Sequence, residues 1–360
     1  MSKVELIKVD ELGVSERALW RSLRQGQESL SSPYFSDAWV TQIARVRNDV
    51  KVAVLLQDNG RIAGFLPYQQ LQTGIALPVG GALSDYHGMI ANSDYRVDFQ
   101  QVMQQINVKR FDFSYIPKAQ ACFSSYAWVE QRSHIIDISS GLDVYLQQRK
   151  QRGSSANYRA KKRARKLVKD FGELRLEAHS KDQKVFDQLL RWKRNQYKKT
   201  RNPDVFASKW TRDLVQNLFE KGKSGEFGGA LFALYAGDKL IAANYCLGEG
   251  DVLHSWFIAY NPEFAKYSPG LVLFEKMIEH LAETHIREID LGTGNYRFKT
   301  SLANKGRMVN AGFVGNSAIV ALIPSYKYQL RKWAELMPLG SLSELPGKAM
   351  RRIDLRRGLA

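Results

Sequence analysis

The chain has 360 residues, of which 44% are hydrophobic and 25% charged, with 27 Gly and 10 Pro. That balance excludes a disordered chain, a collagen-like fibre and a disulfide-rich scaffold, and the length suits two domains of roughly 100–200 residues each. The outlying quantity is charge: 53 Lys and Arg against 36 Asp and Glu leave a formal net +17, which asks for a polyanionic partner such as nucleic acid, anionic lipid or a phosphorylated cofactor.

In chain order, residues 15–30 read as helix, and 36–47 as a second helix capped by Ser36 or Asp37. Two apolar runs, Val52–Gln57 and Ile62–Gln70, flank Asp58-Asn59-Gly60, a hairpin signal. A Gly/Pro-rich stretch from Pro78 to Gly88, a helix near 95–106 and a strand Arg110–Tyr115 follow. The second half repeats this order. Helices cover 182–199 and 208–221, and strands Gly229–Tyr235, Leu240–Leu247 and Val252–Ala259 form a meander. A helix over 270–284 leads to a short strand, Glu288–Leu291. The repetition predicts an α/β (α+β) chain of two tandem modules, each a mixed sheet flanked by helices. The expected boundaries are 1–140 and 173–323 for the modules, 141–172 for a basic helical linker and 324–360 for a basic tail.

The charge is local. Residues 147–169 hold ten Lys and Arg and no acid, residues 191–212 hold eight with one acid, and 326–360 hold eight with three. In the first window Ala156, Ala160, Ala164, Leu167 or Val168, and Phe171 recur at helical spacing between cations. This predicts an amphipathic helix capped by Ser154 or Ser155 and stopped at Gly172. Such a helix is either a solvated tether or a docking surface for phosphates. Only two cysteines occur, Cys122 and Cys246, with no metal-ligand spacing, so neither a zinc site nor a disulfide framework is expected. The N-terminus lacks an apolar signal region and no run is long enough to span a bilayer, so a cytoplasmic protein is the expectation.

Three stretches carry chemistry. Tyr267-Ser268-Pro269-Gly270-Leu271 follows a strand and opens a helix, where unpaired N–H groups and the positive dipole end suit a pyrophosphate. The alternative is a well-capped core helix. Asp290-Leu291-Gly292-Thr293-Gly294-Asn295-Tyr296-Arg297-Phe298-Lys299 closes a strand with an acid and then gathers Tyr, Arg and Lys. The acid can orient or deprotonate a nucleophile, and Arg297 or Lys299 can hold an anion. In the first half, Asp85-Tyr86-His87 sets an acid, a stacking ring and a near-neutral titrator in one glycine-flanked loop. No Gly-x-Ser-x-Gly elbow, phosphate loop or Gly-x-Gly-x-x-Gly occurs, which removes support from hydrolase, kinase and dinucleotide dehydrogenase readings.

At these residues the sequence resembles the GNAT-like acyltransferases of the CelD/BcsL type, associated with bacterial cellulose and exopolysaccharide synthesis and related to the Fem-type aminoacyltransferases. The resemblance runs over roughly residues 15–315. It rests on Ser32-Pro33-Tyr34-Phe35 before Trp39, Gly64-Phe65-Leu66-Pro67, Leu83-Ser84-Asp85-Tyr86, the basic segment, and the 267–271 and 290–299 stretches. It implies acyl transfer from acetyl-CoA or another acyl-CoA to an amine or hydroxyl of a sugar or lipid-linked saccharide, without a metal. It places the pyrophosphate at Tyr267 through Leu271, although Pro269 removes one donor there. The expected catalytic set is Asp85 (base), His87, Asp290, Tyr296 (acid to the leaving thiolate) and Lys299, meeting in an interdomain cleft, with Tyr86, Arg159 and Arg297 on the substrate.

Two rivals accompany this reading: a Fem-like enzyme using aminoacyl-tRNA, and a non-catalytic basic module on RNA or an anionic membrane. For the membrane, Tyr326, Tyr328, Leu330, Trp333, Leu336 and Met337 with Lys327, Arg331 and Lys332 compose either an interfacial helix or one packed on the second module.

Overall fold

In the computed structural model, strand β1 (Lys3–Ile7) pairs antiparallel with β2 (Val50–Leu56), and β2 with β3 (Ile62–Gln70) across the expected Asp58-Asn59-Gly60 turn. Gly60 sits at φ +79°, a conformation open to glycine. The structure describes residues 3–222, 226–294, 296–336, 350, 352–353 and 358–359. Before the hairpin come α1 (Val14–Arg24) and α2 (Asp37–Ala44). The cap of α2 is Ser36, whose hydroxyl accepts the Ala38 N–H at 3.2 Å. After the hairpin come β4 (Ile75–Leu77), the two-residue β5 (Ile90–Ala91), α3 (Phe99–Gln105) and β6 (Arg110–Pro117).

Strand β7 (Ala127–Asp137) leads to α4 (Leu142–Gln151), α5 (Ala156–Phe171) and β8 (Leu174–Glu177). Next are α6 (Gln183–Thr200), α7 (Lys209–Gly222), β9 (Phe227–Ala236), β10 (Lys239–Glu249) and β11 (Val252–Tyr260). Last come α8 (Pro269–Leu281), β12 (Glu288–Asp290), α9 (Arg297–Leu302), β13 (Lys305–Gly315) and α10 (Ala318–Leu336).

The chain divides into two units. Unit 1 comprises Met1–Gln131, Val205–Leu214 and Met308–Ala360, and unit 2 comprises Arg132–Asp204 and Val215–Arg307. These differ from the boundaries expected from sequence, because the second unit begins within β7 and takes in the supposed linker. Helix α5 is no tether: Ala156, Ala160 and Leu167 are buried in the unit 2 core, while Val168 is 46% exposed. Gly172 ends it at φ +94°.

The internal duplication is visible in the sheets. In unit 1, β1·β2, β2·β3 and β3·β4 are antiparallel and β4·β6 is parallel. In unit 2, β8·β9, β9·β10 and β10·β11 are antiparallel and β11·β12 is parallel. Helix pairs α1/α2 and α6/α7 fall between the first and second strands, and α3 and α8 precede the parallel strand. The unit 1 core is ring-rich: Phe99 lies 5.2 Å from Phe111 and 4.4 Å from Phe123, centroid to centroid. Burial of each such ring is worth roughly 1.5–3 kcal/mol.

Helix α10, expected either at a membrane interface or on the second module, belongs to unit 1 and packs there through Tyr328, stacked on Trp128 and Phe313 at 5.6 and 6.1 Å. Tyr326, Leu330 and Trp333 are exposed. Met337 lies outside the described residues, as does most of the expected 324–360 tail. Among the described residues no helix is long and apolar enough to cross a membrane.

Candidate active site

In unit 1 the 78–89 loop is held by packing. Trp39 Nε1 donates to Ser84 Oγ at 3.2 Å, and a Cβ on Gly80 would stand 2.7 Å from the Trp39 ring. Tyr86 is fully buried beside Phe35, so it is a core ring and not a stacking surface for substrate. His87 is 6% exposed and its Nε2 accepts the Ser114 N–H at 2.8 Å. Burial drives its pKa down to about 3, so it is neutral at pH 7 with its basic nitrogen engaged. The expectation of a near-neutral titrator is corrected there. Asp85 is partly exposed in the same loop.

Unit 2 brings the other residues together in two places. At the first, Ser268 adopts the left-handed conformation, φ +52° and ψ +54°, before Pro269. A non-glycine residue held there is strained, a feature Ser268 shares with Asn107, Tyr115, His179 and Arg201. The Ser268 side chain makes no cap bond to the helix; it is the Ser268 carbonyl that accepts the Leu271 and Val272 N–H groups, at 2.9 and 3.3 Å. Ser268 is exposed, and a Cβ on Gly270 would meet only Ile258 Cδ1, at 3.6 Å. The face before the helix is therefore open.

Helix α5 runs beside this turn. Arg163 donates to the Lys266 carbonyl at 2.8 Å, Lys166 Nζ lies 5.6 Å from the Tyr267 ring, and the Tyr267 hydroxyl donates to Asp170 at 2.6 Å. Tyr267 is thus a buried strut of the turn. Lys161, Lys162, Arg163, Arg165 and Lys166 are exposed. With few amides free, a pyrophosphate at α8 would be held largely by these cations. Arg159, one turn earlier, is partly buried.

The second place is the end of β12. Asp290 is fully buried, accepting the Ser133 hydroxyl at 2.9 Å and the Gly292 N–H at 2.7 Å, with Arg307 at 3.7 Å and His254 at 3.8 Å. Where a catalytic acid was expected, the carboxylate is buried and engaged by these groups, which suits a residue that positions the loop. Main-chain bonds anchor the loop as well, with Leu291 N–H donating to the His134 carbonyl at 2.8 Å and His134 N–H to the Gly292 carbonyl at 3.1 Å. Tyr296 is 63% exposed at the start of α9, Arg297 is exposed, and Lys299 Nζ donates to the Thr293 carbonyl at 2.7 Å. Asn295 lies outside the described residues.

One residue here escaped the sequence reading. Lys193 Nζ reaches the carbonyl of Ile258, near the end of β11, at 3.3 Å. Burial, with the charge of Lys299 second, lowers its pKa to about 8. A signal existed in the helix phase: Val185, Phe186 and Leu189 form the buried stripe of α6, and residue 193 continues it at i+4.

Residues 154–300 match the acetyltransferase (GNAT) domain family, an interval that holds both places. No curated protein matches the sequence. Among solved structures, FemX aligns with a TM-score of 0.57 at 10% identity, over 89% of this chain and 100% of that one. The DUF2156 domain at the C-terminus of a protein described as a lysylphosphatidylglycerol synthetase, from Agrobacterium fabrum, aligns with a TM-score of 0.52 at 12% identity, over 86% and 95%. At these identities the two show the shared fold. Residues 154–300 thus carry a match to a GNAT acetyltransferase domain, which supports a GNAT-type acyltransferase.

Proposed function

We propose that the protein transfers an acyl group from an acyl-CoA to an amine or hydroxyl of a sugar or lipid-linked saccharide, in line with the CelD/BcsL resemblance. The observation that carries this reading is the open, strained Ser268 turn flanked by the exposed cations of α5, within the stretch that matches the GNAT domain. In the reaction, the acceptor nitrogen or oxygen bonds to the thioester carbonyl carbon, the C–S bond breaks, and the acceptor's proton leaves to a base. Tyr296 gives its proton to the departing thiolate, while Lys299 and Arg297 hold anionic groups of the reactants. Lys193, a fraction of which is neutral at pH 7, is the proton acceptor in unit 2. Asp85 in unit 1 keeps the role of base expected from its motif and is tested alongside. A lipid-linked acceptor suits peripheral contact with the inner face of a bacterial membrane through the exposed face of α10.

A second reading is favoured by the exposed cations of α5, Lys161, Lys162, Arg163, Arg165 and Lys166: an aminoacyl-tRNA as donor, which that charge would bind with strong salt dependence. The test is thermal stability with coenzyme A against charged tRNA, since a ligand bound only by the native state raises the melting point. Protection by coenzyme A and turnover of acyl-CoA support the first reading; protection by tRNA alone replaces it. Unchanged turnover in Tyr296→Phe, Asp85→Asn and Lys193→Met removes those roles.

A further inference from the structure

Helices α4, α5, α8 and α9 of unit 2 line a partly open cavity of about 50 Å3, walled chiefly by Leu142, Leu146, Ala160, Ile278 and Leu302. Glu275 of α8 lines it and is only 7% exposed, yet among the described residues neither of its carboxylate oxygens has a hydrogen-bond partner. Asn157 of α5 lines the same cavity, and its buried Oδ1 also lacks one. Lys161 of the wall is exposed, and the other polar side chains there are engaged. Tyr145 donates to the Leu302 carbonyl at 2.8 Å and Ser154 to the Ser301 carbonyl at 2.7 Å. Arg149 spreads its guanidinium over the carbonyls of Thr300, Ser301 and Ala303, and Glu279 pairs with Lys276 at 2.9 Å.

What remains consists of three acceptor atoms, Glu275 Oε1 and Oε2 and Asn157 Oδ1, in an apolar chamber. A buried carboxylate without a donor is costly, so the missing partner is a hydrogen-bond donor. Water fits by size but brings no charge, and Lys161, the exposed cation of the wall, makes no hydrogen bond to either carboxylate oxygen. An ammonium supplies three donors and a compensating charge. At roughly 10–15 Å3 for each water-sized group, the chamber takes about four such groups.

We infer that this cavity is a binding site for a short-chain primary alkylamine, held as its ammonium by Glu275 and Asn157 with its alkyl body against the leucines. The inference does not rest on the acyl-transfer reading and stands or falls by binding alone, although Leu271 and Lys161 border both places. The charged groups around Glu275 are Lys276 and Glu279 on α8, Lys161 on α5 and Arg149 on α4. Burial, reinforced by Glu279, raises the Glu275 pKa to about 7, so the ammonium binds more tightly at pH 8 than at pH 6.

The test uses the full chain with methyl-labelled Ile and Leu, titrated with n-propylammonium, n-propanol and propionate. Saturable shifts of the Ile278 and Leu302 methyls are expected with propylammonium and not with propionate. Affinity should fall tenfold or more in Glu275→Gln, which keeps side-chain size and removes the charge, and binding should vanish in Ala160→Leu, which fills the chamber. Absence of methyl shifts in the unmutated protein, or equal affinity of propanol and propylammonium, or an unchanged affinity in Glu275→Gln, overturns the inference and leaves a water-filled cavity.

Discussion

The hydroxyl of Ser133 donates to the carboxylate of Asp290 at 2.9 Å, across 157 residues of sequence, and both residues are fully buried. This contact ties β7 to the end of β12 and thereby sets where the 291–299 loop begins. Asp290→Ala leaves the Ser133 hydroxyl and the Gly292 N–H without their acceptor and takes from Arg307 one of its two neighbouring carboxylates, Glu288 being the other. Loss of one member of such a buried charged cluster costs about 3–5 kcal/mol. Urea unfolding of the variant should show a loss of that size.

Lys193 makes an opposite prediction. Its pKa is about 8 in the fold, below the ordinary 10.5, so the unfolded chain holds the proton more tightly. Stability on its account therefore rises as pH climbs from 8 to 10.5 and is lowest below 8. Each unit is worth about 1.4 kcal/mol, and discounting for partial exposure leaves about 2 kcal/mol. Lys193→Met should raise the melting temperature at pH 7 and lose that advantage by pH 10.5.

Glu288 titrates in the other sense. Burial, offset in part by Arg307 at 3.2 Å, raises its pKa to about 7 from 4.5. Its contribution is present in full below pH 4.5 and is lost as pH rises through 7. Glu288→Gln should flatten the fall in melting temperature between pH 5 and pH 7.5; an unchanged slope would assign that fall to other groups.

The cations beside the Ser268 turn should act on donor binding more than on chemistry. Lys162→Ala together with Lys166→Ala is expected to raise KM for acyl-CoA about tenfold with kcat little changed, and added salt should narrow the difference. Steady-state kinetics at two ionic strengths measures both effects.

His87 should be silent to pH. With its Nε2 accepting the Ser114 N–H and its pKa near 3, its imidazole resonances should not shift between pH 5 and pH 8. His87→Leu strands the Ser114 N–H and should cost about 1–3 kcal/mol.

Much of the fold was readable because its signals are local. The Asp58-Asn59-Gly60 turn, the Ser36 cap and the stop at Gly172 depend on residues within a few positions of one another. The strands β1 and β8 that open the two repeats escaped notice. Each is short, mixes charges with apolar residues, and is recognisable only by its partner, β2 or β9. In the candidate site, Tyr296, Arg297 and Lys299 followed from one loop's composition. Ser133, His254 and Arg307 around Asp290 did not, because β7, β11 and β13 meet only after folding.

By itself the sequence determined the two-fold order of elements and the placing of the excess charge in a few segments, since periodicity, turn chemistry and composition act over short range. Tertiary structure alone decided what each charge is for. The same run of basic residues yields exposed cations at 162 and 166, and a basic stretch of α6 yields a lysine pressed against the Ile258 carbonyl. Solvation is the reason: whether a charge meets water, a carboxylate or a carbonyl is set by neighbours distant in sequence, and that neighbourhood fixes protonation and reach alike.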